Sequence, residues 1–325
     1  PAPVVRERRE MMPWLLSGLG LLILLLAGDA LVKGAVNVSL RLGIPALIVS
    51  LTIVAFGTSA PELLISIKAV MEDAPGLALG NVVGSNTANI LLVLGIPAFL
   101  ATMHTSECET KKTFNHMIMA SVLFIALAFR GVFDWIAGLV LLAALALVLA
   151  DAFRDAHLHR QACREDEAED IEGVDPNLPW WRIIVFLVLG LVGLPLGAGL
   201  LVDNATIIAK LYGVSDTVIG LTLVAIGTSL PELATTVMAA LRRQADVALG
   251  NVIGSNMFNL LAIIGIASLV SPIPVDPAFL HFDLWVMLAA SVLLVPFVYL
   301  RQDITRMWGI VLTVLYAGYL TLLLT

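Results

Sequence analysis

Apolar runs long enough to cross a bilayer follow one another along almost the whole chain, and this constrains the fold more than any motif does. Ten stretches read as spans, at roughly 13–40, 44–72, 78–102, 113–130, 132–153, 180–210, 214–243, 248–271, 280–300 and 304–325. A helix needs about 20 mostly apolar residues to cross the hydrocarbon layer. Lipid offers no hydrogen bonds, so backbone crosses it only as helices or as a closed barrel. The runs are continuous, without the alternation of barrel strands. The prediction is therefore an all-α integral membrane protein of ten transmembrane helices. Only 13% of residues are charged and the mean hydropathy is +0.98, against about 25% charged in a soluble domain.

What is polar is concentrated. Between the fifth and sixth spans lies one substantial polar segment, 154–179, with Glu165-Asp166-Glu167, Glu169-Asp170 and a closing Asp175-Pro176-Asn177-Leu178-Pro179. This composition describes a solvated acidic linker, and its spacing is not that of an EF-hand. Most of the net charge of −7 sits there, so the charge says little about partners. No basic stripe with interleaved aromatics occurs, which argues against nucleic acid. No HExxH, GxSxG or pair of membrane aspartates in a protease motif occurs, which argues against an enzyme. Cys108 and Cys163 fall in loops without metal-ligand spacing and are expected to be free thiols on a reducing face. No signal peptide with a small-residue cleavage site is read, and residues 1–10, ahead of Met11-Met12, are expected to be either an expression remnant or an upstream extension.

The two halves repeat. Residues 51–95 align on 221–265 without a gap, at a constant offset of 170, with 22 identities in 45 positions. The match reaches back to Leu31-Val32 and Ala35 against Leu201-Val202 and Ala205. The unit is therefore a five-span repeat, 13–153 and again 180–325, joined by the linker. Five is odd, so the second copy enters the membrane from the opposite face. Inverted repeats of this kind are found in secondary transporters, with the site near the midplane at the repeat interface. Lys and Arg number six on the face shared by both termini and eleven on the other, with Lys33 inside a span. The positive-inside rule then puts the linker in the cytoplasm and both termini outside, in a plasma membrane. Trp14, Trp180, Trp181 and Trp308 fit interfacial anchoring.

Each repeat carries a carboxylate where lipid makes it expensive. The first reads Gly57-Thr58-Ser59-Ala60-Pro61-Glu62-Leu63 and the second Gly227-Thr228-Ser229-Leu230-Pro231-Glu232-Leu233. An ionisable residue inside a span marks a functional site by default. Pro61 donates no hydrogen bond, so the Gly57 carbonyl is expected to be freed and the helix broken there. Thr58 and Glu62 are four apart and would share one helical face. A second motif follows each Glu, Gly80-Asn81-Val82-Val83-Gly84-Ser85-Asn86-Thr87-Ala88-Asn89 and Gly250-Asn251-Val252-Ile253-Gly254-Ser255-Asn256-Met257-Phe258-Asn259. Its small residues allow close packing against the broken helix. Ser85 with Asn89, and Ser255 with Asn259, again lie four apart. The set is rich in oxygen and carries two negative charges. Hard cations such as Ca²⁺ and Na⁺ take ligands of this kind. One Ca²⁺ or two monovalent ions would balance it. Elsewhere, Asp29 and Lys33, four apart, are expected to form a structural ion pair.

The paired Gly-Thr-Ser-x-Pro-Glu and Gly-Asn-Val-x-Gly-Ser-Asn-x-x-Asn blocks, at 50–95 and 220–265, resemble the two α-repeats of the cation/calcium antiporter superfamily, in its prokaryotic sodium/calcium exchanger branch. The resemblance implies a ten-helix exchanger with clustered ion sites at mid-membrane, holding Ca²⁺ or several Na⁺ in alternation. It implies Glu62 and Glu232 as central Ca²⁺ ligands that also serve Na⁺. Thr58, Ser59, Ser85, Thr228, Ser229 and Ser255 would ligate Na⁺ or Ca²⁺ through their oxygens, and Ala55 and Ala225 would offer backbone carbonyls. Asn89 and Asn259 would form the remaining centre. The long first and sixth helices would slide across this core. Some members carry Asp where this chain has Asn259, and Asn leaves one carboxylate fewer, which bears on stoichiometry and proton dependence. The expected function is Na⁺/Ca²⁺ exchange by alternating access, with no cofactor beyond the transported ions. Ca²⁺/H⁺ exchange, or K⁺ as a co-ion, is the alternative.

Overall fold

The computed structural model describes residues 3–162, 178–213 and 225–324. Among the described residues most of each predicted span is helical. Helix α1 runs Pro3–Leu42, followed by a bent pair, α2 (Ala46–Thr58) and α3 (Ala60–Met71), and then α4 (Pro75–Leu100), α5 (Lys111–Ala128) and α6 (Trp135–Ala162). The second half repeats the order with α7 (Trp180–Leu211), the short α8 (Ala225–Thr228), α9 (Leu230–Leu241), α10 (Ala245–Val270), α11 (Phe279–Tyr299) and α12 (Arg306–Leu324). Among the described residues six helices are long and apolar enough to cross a membrane, or seven with the bent pair counted as one.

Two boundaries differ from expectation. The fifth span begins at Trp135, because Val132-Phe133 is extended and pairs antiparallel with Ile273-Pro274, Phe133 opposite Ile273. Asp134 then caps the helix, accepting the Ala137 amide at 2.9 Å. At its other end α6 continues to Ala162, so 154–162 is helix where a linker was expected. Lys112 holds that extension, 2.7 Å from both Asp151 and Asp155. The acidic clusters, Cys163 and the 175–177 part of the linker lie outside the described residues. Cys108 donates to the His104 carbonyl at 3.8 Å.

The layers follow from burial. The windows of α4 and α10 are 83% and 89% buried, against 33% and 28% for α1 and α7. The two motif helices therefore form the centre, and the long helices lie outside it. α1 and α7 pack on each other in opposite order: a Cβ on Gly20 would meet Leu201, one on Gly197 Leu24, one on Gly190 Leu31, and one on Gly34 Leu187. The pair is thus antiparallel, with backbones brought close by glycine. At the end of α1 the Arg41 guanidinium donates to the Leu178 carbonyl at 2.9 Å, tying it to the start of α7.

Asp29 and Lys33 pair at 2.8 Å, as their spacing predicts, and Arg242 at the end of α9 joins them on Asp29. Sequence spacing gives no hint of this third member, 213 residues away.

The connection after α11 is held by Asp303, which accepts from the Ser106 amide at 3.0 Å and sits 2.9 Å from His104 Nδ1. Partial burial pushes this carboxyl up, and the bonds from Ser106 and His104 outweigh it, holding it below the usual carboxylate range. A depressed carboxylate stabilises above its unfolded value, about 3.9, and that contribution is lost as pH falls through the folded value. Asp303 is partly buried but its His104 partner is exposed to solvent, so Asp303→Asn should lower stability by less than about 1 kcal/mol. A thermal melt showing a larger loss at neutral pH would contradict this account.

Candidate cation site

The break in the first repeat falls at Ser59, with φ −85° and ψ 4°, and the axis bends by 43° between α2 and α3. The helix restarts with Pro61 in its first turn, where a missing N–H is harmless. The second repeat breaks in the same way at Ser229, φ −87° and ψ 5°, with Pro231 following. The missing Pro61 donor predicts a break centred on the Gly57 carbonyl. The torsion change is two residues later, and the Ser59 amide still bonds Ala55 O at 3.0 Å. Each Glu therefore sits in the first turn of a restarted helix, where the helix N-terminus favours negative charge.

The motif of the second repeat packs on the first repeat's broken helix. A Cβ on Gly250 would lie 2.7 Å from Leu47 O, and one on Gly254 2.6 Å from Leu51 O and from Ala55 Cβ. Ser50 donates to Val247 O at 2.6 Å along the same seam. The predicted close packing thus joins helices of different repeats.

This seam decides the partners. The Ser59 hydroxyl donates to Glu232 Oε1 at 3.2 Å. Thr58 Oγ1 donates to Asn251 Oδ1 at 3.2 Å and lies 3.4 Å from Ser255 Oγ. Thr58 and Ser255 also lie against the Glu232 carboxylate. Thr58 was expected to share a face with Glu62, four residues on. The break at Ser59 interrupts that face, and the first repeat's hydroxyls turn to the second repeat's carboxylate. The two carboxylates are close enough to repel each other.

Glu62 and Glu232 are each 1% exposed. Thr58, Ser59, Ser85, Asn89, Ser229, Ser255 and Asn259 are buried as well, and Thr228 is half-buried. The Ala55 carbonyl accepts from Ser59 N at 3.0 Å and lies 3.3 Å from Thr58 Oγ1, as an alternative acceptor for that hydroxyl. Ala225 begins α8, and its side chain is outside the described set.

Several buried oxygens have no hydrogen-bond partner among the described residues: Glu62 Oε2, Glu232 Oε2, Asn89 Oδ1, Asn259 Oδ1 and Ser229 Oγ. Buried polar atoms are nearly always satisfied, so this cluster asks for a positive partner. Among the described residues no group of three or more His, Cys, Asp and Glu side chains could hold a metal. Two carboxylates, hydroxyls and amide oxygens suit alkali and alkaline-earth cations rather than soft transition metals.

Four further asparagines take part, all inside the motif but unmarked by the four-residue spacing. Asn81 Nδ2 lies 3.4 Å from the Glu62 carbonyl and 3.2 Å from Ser66 Oγ. Asn251 repeats this on Glu232 O at 3.2 Å and Thr236 Oγ1 at 3.0 Å. Asn86 and Asn256 bond across the repeats. Their recurrence at the 170-residue offset was the signal that would have found them.

A family profile described as "Sodium/calcium exchanger protein" matches residues 12–153 and 182–325. The chain is 37% identical over 314 residues to a putative antiporter, CaxA, of Alkalimonas amylolytica, covering 94% of this chain and 96% of that protein. It is 35% identical over 342 residues to the sodium/calcium exchanger MaX1 of Methanosarcina acetivorans, covering 94% and 96%. The solved structure of the sodium-calcium exchanger NCX_Mj soaked with zero Na⁺ and Ca²⁺ superposes with a TM-score of 0.80 at 32% identity, covering 97% of this chain and 98% of that one.

Proposed function

This chain belongs to the sodium/calcium exchanger family of cation/calcium antiporters, and from that premise we propose that it exchanges Na⁺ for Ca²⁺ across the membrane by alternating access. The observation that carries the reading is the set of buried oxygens around Glu62 and Glu232 that have no partner among the described residues. A dehydrated cation between the two carboxylates would satisfy the orphan Oε2 atoms and cancel their repulsion. One Ca²⁺ neutralises the pair. Na⁺ neutralises it in twos, and a further Na⁺ on neutral oxygens moves net charge. A single net charge per cycle would be worth about 2.3 kcal/mol per 100 mV. Crossing with the site empty leaves two carboxylates facing each other in a buried site, so ions exchange rather than leak.

Ser59, Ser85, Thr58 and Ser255, with Thr228, Ser229, Asn89 and Asn259, are assigned as Na⁺ or Ca²⁺ ligands, and Ala55 and Ala225 as carbonyl ligands. The proposed frame is ten spans in two inverted five-helix repeats, 13–153 and 180–325. Three observations support inversion: α1 and α7 occupy equivalent positions yet run antiparallel, the Asn86–Asn256 bonds are reciprocal, and the pairing of Met103 with Ile304 has a counterpart in Ile273 with Phe133, at the 170-residue offset for one partner and one residue from it for the other. The outer α1–α7 pair is assigned as the sliding unit, because its two windows are only 33% and 28% buried and it lies outside the central motif helices. Both termini are placed outside and the acidic linker in the cytoplasm, on the Lys and Arg asymmetry.

The test is radioactive Ca²⁺ uptake into proteoliposomes with an outward Na⁺ gradient or, separately, an outward H⁺ gradient. Uptake on the Na⁺ gradient, indifferent to pH, is expected. Uptake on H⁺ alone would replace this reading with Ca²⁺/H⁺ exchange, and a requirement for K⁺ would make K⁺ a co-ion.

A further inference from the structure

We infer that Asn86 and Asn256 are positioning residues: their crossed amides fix which atom Asn89 and Asn259 present to the cations. The inference rests on the proposed role of Asn89 and Asn259 as ligands.

An asparagine amide offers an oxygen on one side and an NH₂ on the other, and the two are nearly the same shape. A cation accepts only the oxygen. At a site flanked by two such amides something must set the choice. Here the choice descends from the main chain. Asn86 Nδ2 lies 3.1 Å from Asn256 O, and Asn256 Nδ2 lies 3.3 Å from Asn86 O. A backbone carbonyl only accepts, so each amide must turn its NH₂ toward it. The Oδ1 atoms are thereby turned the other way. Asn86 Oδ1 receives Asn259 Nδ2 at 2.9 Å, and Asn256 Oδ1 receives Asn89 Nδ2 at 3.0 Å. The NH₂ groups of Asn89 and Asn259 are thus engaged away from the site, and their Oδ1 atoms are left buried and without a partner among the described residues.

Each link crosses from one repeat to the other, so each half orients the ligand of its partner. All four side chains are at most 1% exposed, so bulk solvent does not compete for these donors and acceptors. The arrangement parallels metal sites in which an outer residue orients the ligand, where its loss lowers affinity about 10–100-fold.

The test is a double-mutant cycle in proteoliposomes, read as the half-saturating Na⁺ and Ca²⁺ concentrations. Asn86→Ala leaves the Asn259 NH₂ without its acceptor and frees it to turn into the site. It is expected to raise half-saturation about 10-fold. Asn259→Ala removes the ligand itself and is expected to do at least as much. If Asn86 acts through Asn259, the double variant resembles Asn259→Ala within about twofold. If the two losses multiply, within the scatter seen for independent sites, Asn86 is only structural and the inference falls. An Asn259→Ala variant with unchanged half-saturation would overturn the ligand assignment itself, a separate failure. Should Asn86→Ala not give monodisperse protein, the mirrored cycle with Asn256→Ala and Asn89→Ala decides. Loss of folding in both outer variants would overturn the positioning role.

Discussion

Glu62→Gln and Glu232→Gln are each expected to reduce Na⁺-driven Ca²⁺ uptake to background while leaving the protein folded. Glutamine keeps the shape of the side chain and removes one of the two charges that balance Ca²⁺. Taking one partner from a buried ion pair costs about 3–5 kcal/mol, or two to three and a half decades of affinity. Both carboxylates are buried and each has an oxygen without a partner among the described residues, so neither substitution breaks a bond to that atom. The empty protein should tolerate the change well, because one of two repelling charges is gone. A thermal melt separates binding from folding. For a site saturated at 100 times Kd, Ca²⁺ stabilises by about 2.7 kcal/mol, and a hundredfold weaker site retains about 0.4 kcal/mol. Ca²⁺ should therefore raise the Tm of the parent protein and barely move that of either variant. Normal uptake, or an undiminished Ca²⁺-dependent Tm rise, would remove these residues from the site.

Gly254→Val is expected to prevent folding, and Gly254→Ala to destabilise by about 1–3 kcal/mol. A Cβ there would stand 2.6 Å from both Leu51 O and Ala55 Cβ and 2.9 Å from Leu51 Cα. These are main-chain and first-carbon atoms, which move only if the helix moves. The sign is the informative part. In an open helix, Gly→Ala stabilises by about 0.5–1 kcal/mol. At Gly18 a Cβ would meet nothing within 4 Å, so this position serves as the control. Gly18→Ala should hold or raise the Tm in detergent while Gly254→Ala lowers it. Equal effects at both positions would mean that the seam between α2 and α10 is looser than the geometry requires.

The chain's helical character was legible from the lengths of its apolar runs, because lipid leaves the backbone few alternatives. The duplicated carboxylates were legible for a similar reason: Glu62 and Glu232 stand in apolar surroundings at the same place in each repeat, and burial of a charge is too costly to be incidental. The symmetry at a fixed offset of 170 needed only the sequence. Local chemistry also carried over, since Pro61 and Pro231 break their helices within two residues of the expected place.

Partner choice was not legible. Reading along a helix put Thr58 with Glu62, yet Ser59 donates to Glu232, 173 residues away, and Thr58 reaches Asn251, 193 away. Arg242 on Asp29 and the Asn86–Asn256 cross-link escaped for the same reason. Spacing reports which residues share a face of one helix. It carries no information on which face of another helix will meet it, and the break at Ser59 removes even the shared face. By itself the sequence determined that costly polar groups would be buried twice, in two equivalent places. The tertiary structure decided that side chains of one half would bond to those of the other, because glycines at 250 and 254 let α10 approach the backbone of α2 closely enough for bonds across the seam.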